Sequence, residues 1–405
     1  MRILLLTHRI PFPPNKGDKI RSFNLLKHLA GKHEVHVASL VDDARDLQYV
    51  GEMDRLAKSF LYADISGRSR VGSTLRALAS GAAVSVVHFH SAELQQRIDA
   101  LLDSMPFDAV LCFSSPTAEY VFRSRHAEGR LRNMRRAMDF IDVDSFKWAQ
   151  YADQSRVPMS WIYRYESRQL ARYEERIARE FHRLFLVTEQ EKRLLPAGVP
   201  REQVSALGNG VDLEYFAPLT ATRDSGRKPT LVFTGAMDYW PNIDGVQWFV
   251  EDIYPRIQRV VPDVAFKIVG SRPAPQVLKL AATPGVTVTG FVPDIRQCIA
   301  EADVCVVPLR IARGIQNKVL EAMAMGRPVV STGQAFEGIR AREGEDVVVA
   351  TGADEFAAAV IALLNEPARA EAIGRRARVC VENEYSWSSS LRDLDVLIQQ
   401  QAVGA

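Results

Sequence analysis

Arg313, Lys318 and Glu321 are the residues whose types and spacing most directly suggest chemistry. They follow an apolar, β-branched run from Val304 to Pro308 and overlap a helical pattern from Gln316 to Met325, which predicts a strand, a loop and a helix. The amino-terminal end of a helix favours anions through its unpaired N–H groups, and nearby cations strengthen that preference. This segment therefore predicts a binding site for a diphosphate group.

Two more residues extend this predicted site. Gly314 precedes the helix, and Asn317 lies on the same helix side as Lys318 and Glu321 by the three- to four-residue spacing. The carboxylate of Glu321 could accept hydrogen bonds from ribose hydroxyls. In the alternative interpretation, these charged residues form a solvated helix surface that binds no ligand.

Six apolar runs in the second half of the chain predict a parallel sheet of the Rossmann type. They cover residues 231–235, 265–270, 286–290, 303–307, 328–332 and 346–350. Gly235, Gly270 and Gly290 end the first three runs, and Arg272, Phe291 and Val292 follow closely, so all are expected at the sheet edge where ligands bind. No G-x-G-x-x-G sequence follows the first run, which argues against a dinucleotide redox cofactor.

The first half of the chain opens with the same alternation. Arg2 to Thr7 predicts a buried strand, and a helix is expected to begin near Asp18 and to turn a face that includes Arg21 and Leu25 toward the core. Glu34 to Leu40 predicts the next strand. The loop between the first strand and the helix therefore lies at the ligand-binding edge of the sheet.

Asp142 and Asp144 follow the apolar run from Ala137 to Ile141. An acid at the carboxyl end of a strand could orient or deprotonate a substrate hydroxyl. Alternatively, either acid could cap the helix that follows. The spacing leaves both interpretations open.

Length, charge and cysteine usage limit the class of protein. The 405 residues predict two domains, and a formal net charge of +2 does not indicate a nucleic-acid partner. The four cysteines are far apart and form no C-x-x-C pair, and no apolar run is long enough to span a bilayer. We therefore expect a cytoplasmic protein whose membrane contact, if any, is peripheral.

The segment NKVLEAMAMGRPVVST, residues 317–332, resembles the nucleotide-sugar site of GT-B glycosyltransferases, particularly family four. Asn209-Gly-Val-Asp212 resembles the NGVD turn of that family. The resemblance covers nearly the whole chain and is greatest to the sugar transferases associated with PEP-CTERM/exosortase gene clusters. Arg313 departs from the pattern, because the family has a glutamate eight positions before the one that Glu321 matches.

The resemblance implies an α/β GT-B fold with two Rossmann-like domains facing a central cleft. Residues 1–200 would form the acceptor domain and residues 201–380 the nucleotide-sugar donor domain, with a carboxyl-terminal helix in 381–405 packing back on the first. The implied activity is transfer of a sugar, with retention of configuration, from a UDP- or GDP-sugar to a saccharide or polyprenyl-linked acceptor. Exopolysaccharide or cell-surface glycan synthesis is the implied process, and no cofactor or metal is expected.

The resemblance also implies roles for individual residues. Asp142 and Glu321 are expected to be catalytic, and Lys16, Asp18 and Asp144 to lie on the acceptor side. The residues expected to bind the donor are Gly17, Gly235, Arg272, Phe291, Val292, Arg313, Gly314, Asn317, Lys318 and Glu321. Since the family's basic residues in the loop after the first donor-domain strand are missing here, Arg313 and Lys318 are expected to neutralise the diphosphate.

Three alternatives accompany this interpretation. Asp142-Val-Asp144 also resembles the metal-binding D-x-D motif of GT-A enzymes, which have a different fold. The six arginines between Arg123 and Arg136 suit either anionic lipid head groups or a solvated helix face. Finally, the chain could be a sugar-nucleotide epimerase, or a nucleotide-sugar-binding subunit without turnover, the latter because Arg313 replaces the expected glutamate.

Overall fold

The computed structural model describes residues 1–219, 227–312, 314–392 and 394–399. The chain forms two compact units. The first comprises Met1–Gly208 and the described residues from Leu391 on, and the second comprises Asn209–Ser390. Arg313 lies outside the described residues, so the structure gives no position for this predicted donor-binding side chain.

The first unit contains a seven-stranded parallel sheet in the order β3-β2-β1-β4-β5-β6-β7. Its strands are β1 Arg2–Thr7, β2 Glu34–Val41, β3 Ser59–Asp64, β4 Ala109–Phe113, β5 Arg135–Ile141, β6 Arg183–Leu186 and β7 Val204–Ala206. Ile3 to Leu6 are fully buried, as expected for a central strand covered on both faces. Burying each such side chain stabilises the fold by about 1.5–3 kcal/mol.

Helices connect these strands. They are α1 Gly17–Ala30, α2 Val50–Leu56, α3 Arg70–Ser80, α4 Val84–His88, α5 Ala92–Ser104, α6 Ala118–Phe122, α7 Arg130–Asn133, α8 Asp144–Gln154, α9 Met159–Glu180 and α10 Glu189–Leu194. Short 3₁₀ segments occur at Ala44–Tyr49, Ser115–Thr117 and Arg201–Gln203. The longest of these helices is α9, with 22 residues.

A buried ion pair joins α1 to β5. The Nε of Arg21 donates to the Oδ2 of Asp139 at 2.8 Å, and each side chain is only 1% exposed. Arg21 also donates to the carbonyl of Gly208, and the other carboxylate oxygen of Asp139 accepts the N–H of Ile141 at 3.0 Å. The pair therefore links the helix after β1 to the turn that ends β5.

The second unit contains a six-stranded parallel sheet in the order β10-β9-β8-β11-β12-β13. Its strands are β8 Thr230–Thr234, β9 Ala265–Val269, β10 Val286–Gly290, β11 Val304–Val307, β12 Val329–Thr332 and β13 Val348–Ala350. All six lie within or beside the apolar runs of the sequence. The prediction of an α/β chain with two Rossmann-like parallel sheets is thus confirmed.

The helices of the second unit follow its strands. They are α11 Trp240–Trp248, α12 Tyr254–Val260, α13 Pro275–Lys279, α14 Ile295–Ala300, α15 Asn317–Ala324, α16 Gly333–Phe336, α17 Gly352–Asn365, α18 Pro367–Glu384 and α19 Trp387–Ser390. Phe249–Ile253 joins α11 to α12 as a π-helical segment, and Leu280–Ala282 is a short 3₁₀ helix. The helix predicted over Gln316 to Met325 is present as α15.

The carboxyl-terminal helix α20, Leu394–Gln399, belongs to the first unit. Its Asp395 carboxylate accepts hydrogen bonds from Lys32 and His33, which follow α1. Before it, the side chain of Ser386 accepts the N–H of Ser389 in the short α19, so α20 is a separate helix.

The arginine-rich segment from Arg123 to Arg136 is not a single helix face, which corrects one expectation. It spans the end of α6, the one-turn helix α7 and the first residues of β5. Arg123, Arg125, Arg132 and Arg136 pair with acidic side chains. Arg130 donates to a backbone carbonyl. In the part of the chain that the structure describes, no helix is both long and apolar enough to cross a bilayer.

Candidate functional site

Three glycines form the carboxyl-terminal edge of the second sheet. Gly235, Gly270 and Gly290 end β8, β9 and β10, and they are adjacent because the N–H of Gly270 donates to the carbonyl of Gly290. A Cβ at Gly270 would lie 1.6 Å from the carbonyl oxygen of Gly235, so no other residue fits there without moving the backbone. These glycines bring the strand ends together and leave room above them.

Lys318, in the first turn of α15, reaches this edge from β11's side of the sheet. Its Nζ donates to the Oδ1 of Asn242 at 2.5 Å and lies 4.7 Å from the centre of the Phe233 ring. A Cβ at Gly235 would lie 3.3 Å from that Nζ. The structure therefore brings Gly235, Lys318 and the start of α11 into one place.

Burial and a nearby opposite charge set the protonation of Lys318 and Glu321. Burial lowers the pKa of Lys318 to about 7, although the Glu321 carboxylate favours the charged amine. Burial likewise raises the pKa of Glu321 to about 7, opposed by Lys318. Both groups thus titrate near neutral pH, where an added anion would favour the charged form of the lysine.

Glu321 is half-buried one turn further along α15. Within the described residues, its carboxylate makes no hydrogen bond or ion pair. Asn317 begins the helix, and its Oδ1 accepts a hydrogen bond from Asn209 at 3.4 Å. Gly314 has a φ of 60°, a conformation that glycine adopts without strain. A half-buried carboxylate that accepts no hydrogen bond from the described protein is suited to accept hydrogen bonds from a ligand.

The remaining residues predicted to bind the donor lie at the ends of β9 and β10. Arg272 has a φ of 53° and pairs with Asp238 at 3.1 Å, so its charge already has a partner in the protein. Phe291 is 75% exposed, whereas Val292 packs against the core of the second unit. An exposed aromatic ring directly after a strand end offers a surface for stacking a base.

Asn242 is a residue of this site that sequence reasoning did not find. Its amide nitrogen donates to the carbonyl of Ala236, which orients its oxygen toward Lys318. Only a weak pattern in the sequence points to it. Asn242 comes directly after Trp240-Pro241, at the start of a helix that follows a strand ending in glycine. Asn242 and Lys318 are far apart in sequence, so no local pattern joins them.

In the first unit, Asp18 holds two basic residues that follow β1. Its carboxylate accepts from His8 at 3.2 Å and from Arg9 at 2.6 Å, and Arg9 also pairs with Asp42 at 2.7 Å. Burial opposes the ionisation of Asp18, yet the hydrogen bond from His8 and the charge of Arg9 keep its pKa well below the usual range. Asp18 therefore orients His8 and Arg9 at this sheet edge.

His8 and Arg9 were not selected from the sequence as site residues. The sequence could have indicated them, because both residues come directly after the first strand. Residues in that position lie at the ligand-binding edge of a parallel sheet. The neighbouring predicted residues Lys16 and Gly17 lie at the start of α1, where Lys16 has the N-cap position without a capping side-chain hydrogen bond. The Gly17 position is exposed.

Asp142 lies directly after β5, where the sequence predicted an acid at a strand end. It is half-buried, and among the described residues its carboxylate makes no hydrogen bond or ion pair. The preceding Ile141 has a φ of 70°, and Ser114 at the end of neighbouring β4 has a φ of 73°. A β-branched residue in this conformation is strained by roughly 1–3 kcal/mol, and such strain is concentrated at functional sites.

The first turn of α8 does not use Asp142 or Asp144 as a capping residue. Val143 has the N-cap position, and no side chain caps there. Instead, buried Glu191 accepts the N–H of Val143 at 2.9 Å, and buried Glu174 accepts the N–H of Ser145 at 3.0 Å. Asp144 is half-buried, and burial raises its pKa. Capping is therefore excluded as the role of Asp142.

A pH dependence of stability follows from Glu174. Burial raises its pKa to about 8, despite the hydrogen bonds from Ser145. Because the folded state binds this proton more tightly than the unfolded state, stability should fall as the pH rises from about 4.5 to about 8, by up to ~1.4 kcal/mol per pH unit. Urea unfolding across this range should show a smaller slope for Glu174→Gln than for the wild type. If stability changes with pH equally in the wild type and in Glu174→Gln, the pKa of Glu174 is not raised in the folded state.

The described residues at the two sheet edges contain no metal-ligand set. Among residues 1–219, 227–312, 314–392 and 394–399, no three His, Cys, Asp or Glu side chains are grouped so that they could hold a metal ion. In the first unit, the side chain of Asp144 pairs with Lys147 at 3.9 Å. The cationic groups near the second edge are protein side chains.

Comparisons with known proteins agree with this geometry. Residues 228–366, which contain the glycine-lined edge and α15, match the model of the family described as glycosyl transferases group 1. A GDP-mannose-dependent monoacylated alpha-(1-6)-phosphatidylinositol monomannoside mannosyltransferase from Corynebacterium glutamicum is 29% identical over 217 residues, or 48% of this chain and 56% of that protein. The chain thus matches just over half the length of this curated relative.

Solved structures cover almost the whole chain. Sucrose-phosphate synthase from Thermosynechococcus elongatus aligns with a TM-score of 0.74 over 99% of this chain and 98% of its own, at 17% identity. HepE from Anabaena, in complex with UDP and glucose, aligns with a TM-score of 0.69 over 98% of both chains, at 13% identity. The chain therefore has the GT-B fold, and residues 228–366 of its second unit match the glycosyl transferases group 1 model.

Proposed function

We propose that the protein is a glycosyltransferase that moves a sugar from a nucleotide diphosphate sugar to a saccharide or lipid-linked acceptor. The observation that carries this proposal is the pair Lys318 and Glu321 in the first turns of α15. These two residues lie at the glycine-lined sheet edge, inside the segment that matches the group 1 family model. Both groups titrate near neutral pH, and Glu321 has no hydrogen bond or ion pair among the described residues.

In this proposal the diphosphate lies over the first turn of α15. Lys318, in its ammonium form, and the N–H groups at the start of the helix stabilise the negative charge that develops on the leaving diphosphate. Glu321 accepts from the ribose hydroxyls, and the strand ends near Gly290 to Val292 hold the base. Gly314 and Asn317 complete the donor contacts, with Arg272 at the margin. Gly17 and Arg313 stay predicted donor-binding residues, and Arg313 lies outside the described residues.

The acceptor is proposed to approach the edge of the first sheet. Asp142 would orient or deprotonate its hydroxyl, and Lys16, Asp18 and Asp144 would lie around it. Transfer with retention of configuration and without a metal is part of the proposal, as is a role in exopolysaccharide or cell-surface glycan synthesis. The arginines from Arg123 to Arg136 have partners in the described structure, so we do not propose this segment as a lipid contact.

The names of the relatives indicate which donors and acceptors should be tested first. The Corynebacterium relative is GDP-mannose-dependent and acts on a phosphatidylinositol mannoside, whereas HepE was solved with UDP and glucose. GDP-mannose and UDP-glucose are therefore the first donors to try, with a lipid-linked saccharide as acceptor. Titration with UDP, GDP and their sugars, followed by a transfer assay, tests the proposed function directly.

Lys318→Ala should weaken the binding of UDP or GDP by ~1.5–3 kcal/mol, roughly 10- to 150-fold in Kd, because a charge-assisted hydrogen bond to the diphosphate is lost. Binding of the nucleoside should hardly change. Isothermal titration calorimetry measures both. Lys267→Ala is the matched control, since Lys267 lies within β9 and pairs with Glu301 away from this edge. If the wild type and Lys318→Ala bind UDP or GDP equally well, the diphosphate does not lie beside Lys318.

Glu321→Gln should lower donor affinity without lowering thermal stability, because an amide accepts from two ribose hydroxyls less well than a carboxylate does. Removing a half-buried carboxylate without a described partner should leave the fold intact or slightly more stable. Donor titration and thermal unfolding of the same sample give the two readouts. A loss of stability with unchanged donor affinity would identify Glu321 as a structural residue of α15.

A binding subunit without turnover remains the alternative that Arg313 suggests, because it replaces a glutamate of the family pattern. Donor hydrolysis in the absence of acceptor separates the two functions. Any turnover above the rate without protein excludes a purely binding role. Donor binding without hydrolysis, and without transfer to any lipid-linked acceptor, would favour the binding subunit.

A further inference from the structure

The turn that carries Asp142 is held by three buried carboxyl groups. They belong to Asp139 in β5, Glu174 of α9 and Glu191 of α10. Each of them accepts a backbone N–H from the turn, which comprises residues 140–145. We call these three residues the carboxyl cradle and residues 140–145 the Asp142 turn.

The cradle binds every second residue of the turn. The N–H donors are Ile141, Val143 and Ser145, and their acceptors, in the same order, are Asp139 at 3.0 Å, Glu191 at 2.9 Å and Glu174 at 3.0 Å. The residues between these donors are Asp142 and Asp144, the two acids predicted to serve the acceptor. Because the backbone is fixed on both sides of Asp142, the direction in which its side chain leaves the backbone is also fixed.

The Asp142 turn contains a strained residue. Ile141 has a φ of 70°, a conformation that β-branched residues rarely adopt. Its N–H is bonded to Asp139, and its carbonyl accepts the N–H of Val187 at 2.9 Å. Strain of this kind persists only where the surrounding structure enforces it, and it is concentrated at functional sites. The cradle therefore stabilises a backbone conformation that the turn would not adopt alone.

A buried carboxyl group costs free energy, so the cradle is an expensive way to hold a turn. Glu174 is fully buried, and burial raises its pKa to about 8 although Ser145 donates to it. The nearby carboxylates of Asp144 and Glu191 favour the protonated form of Glu174 as well. Several acids gathered at one strand end are typical of a site in which a carboxylate is oriented for chemistry.

We propose that Glu174 and Glu191 are positioning residues, which hold the Asp142 turn so that the Asp142 carboxylate meets the acceptor hydroxyl in a fixed orientation. This inference rests on the proposed function, because it takes the role of Asp142 from there. Neither glutamate contacts a substrate, since both act through the backbone N–H groups of Val143 and Ser145. The turn requires an accepting oxygen at each position, which an amide supplies as a carboxyl group does.

Methionine and glutamine variants separate the accepting oxygen from the volume of the side chain. Glu191→Met leaves the Val143 N–H without this acceptor and should slow transfer by about 10²-fold, the effect of a displacement of about 1 Å. Glu191→Gln keeps an acceptor and should transfer close to the wild-type rate. Glu174→Met and Glu174→Gln should differ in the same way. The affinity for UDP or GDP should be unchanged in all four, because Lys318 and α15 belong to the second unit.

Combination with Asp142→Asn tests whether the cradle acts through Asp142. If it does, Asp142→Asn/Glu191→Met should transfer no more slowly than Asp142→Asn alone, because a carboxylate that is already missing cannot be displaced. Steady-state kinetics of the wild type, both single variants and the double variant give this comparison. If the two losses multiply instead, Glu191 acts on something other than Asp142, and the inference is wrong.

Glu166→Met is the matched control. Glu166 is another buried glutamate of α9, and its carboxylate accepts the N–H groups of Val84 and Ser85 at the start of α4. Its loss should lower the free energy of unfolding much as Glu174→Met does, since both changes leave buried N–H groups unpaired. Transfer by the folded Glu166→Met protein should match the wild type. A rate as low as that of Glu174→Met would indicate a general structural effect and overturn the inference.

Hydrogen exchange of residues 140–145 gives a readout that does not depend on transfer. These amides should be protected in the wild type and in Glu191→Gln, and should exchange faster in Glu191→Met. If Glu191→Met does not fold, Glu191→Asp, which withdraws the oxygen by one methylene group, carries the same test. Rapid exchange in the wild type, or wild-type transfer by Glu191→Met, would overturn the inference. If the wild type transfers no sugar, the proposed function fails, and exchange still decides whether the cradle holds the turn.

Discussion

Asp142→Asn is expected to slow sugar transfer by about 10²- to 10⁴-fold, the usual contribution of a general base, while donor affinity stays unchanged. Asp142 lies at the end of β5, half-buried, with no hydrogen bond or ion pair among the described residues. Its expected partner is the acceptor hydroxyl or the sugar, and the amide can neither take a proton nor carry the charge. Steady-state transfer kinetics and donor titration give the two quantities.

The control for this variant is Asp153→Asn, because Asp153 is exposed near the end of α8 and pairs with Arg164. It should transfer at the wild-type rate. An Asp142→Asn enzyme with an unchanged rate would remove Asp142 from the mechanism. A parallel reduction in donor affinity would instead place this carboxylate near the nucleotide.

A chelator distinguishes the two interpretations of Asp142-Val-Asp144. If a divalent cation bridged these acids to the donor phosphates, EDTA would abolish transfer and Mn²⁺ would restore it. If Lys318 and the start of α15 neutralise the diphosphate, the rate should be nearly unchanged in EDTA. Loss and restoration would refute both the assignment of Asp142 and the metal-independent mechanism.

Arg21→Met should destabilise the first unit by about 3–5 kcal/mol, the typical cost of leaving one member of a buried ion pair without its partner. The Asp139 carboxylate would keep the N–H of Ile141 but lose the guanidinium, at a site that is only 1% exposed. Urea unfolding measures the loss. Transfer should also slow, because the turn that carries Asp142 is attached to Asp139.

Arg55→Met is the matched control, since Arg55 forms an exposed ion pair with Glu52 on α2. Such pairs contribute at most about 1 kcal/mol. The double variant Arg21→Met/Asp139→Leu should recover part of the stability, because it removes the uncompensated charge. If Arg21→Met lowers the free energy of unfolding no more than Arg55→Met does, the Arg21–Asp139 pair does not stabilise the first unit to the expected extent.

The sequence predicted the fold of this chain in detail because its strands are buried on both faces. Runs such as Ile3 to Leu6 and Val304 to Val307 are continuous and apolar, and glycines or acids mark many of their ends. The positions of Lys318 and Glu321 on α15 followed from spacing alone. Asp142 at a strand end followed from the order of apolar run and acid.

What the sequence could not predict depends on contacts between distant residues. Arg21 was placed on a core face, but its partner Asp139 lies 118 residues away. Asn242 and Lys318 are 76 residues apart. The apolar spacing of Val71, Leu75 and Leu78 is also that of a buried helix face, and only the packing of Ser73 and Ala77 shows that it points outward. Local patterns contain no information about these pairings.

The ion pair between Arg21 and Asp139 also has a consequence for engineering this protein. Asp18 binds His8 and Arg9 before the segment from Pro11 to Asn15, and the Arg21–Asp139 pair lies after it. These contacts therefore fix both ends of the segment. Within this segment, Pro11 is buried and the Phe12 ring packs against Phe23 of α1 and against Tyr49, so a replacement should keep these two residues. Libraries that vary only Pro13, Pro14 and Asn15, which are half-buried or exposed, should therefore retain a folded scaffold.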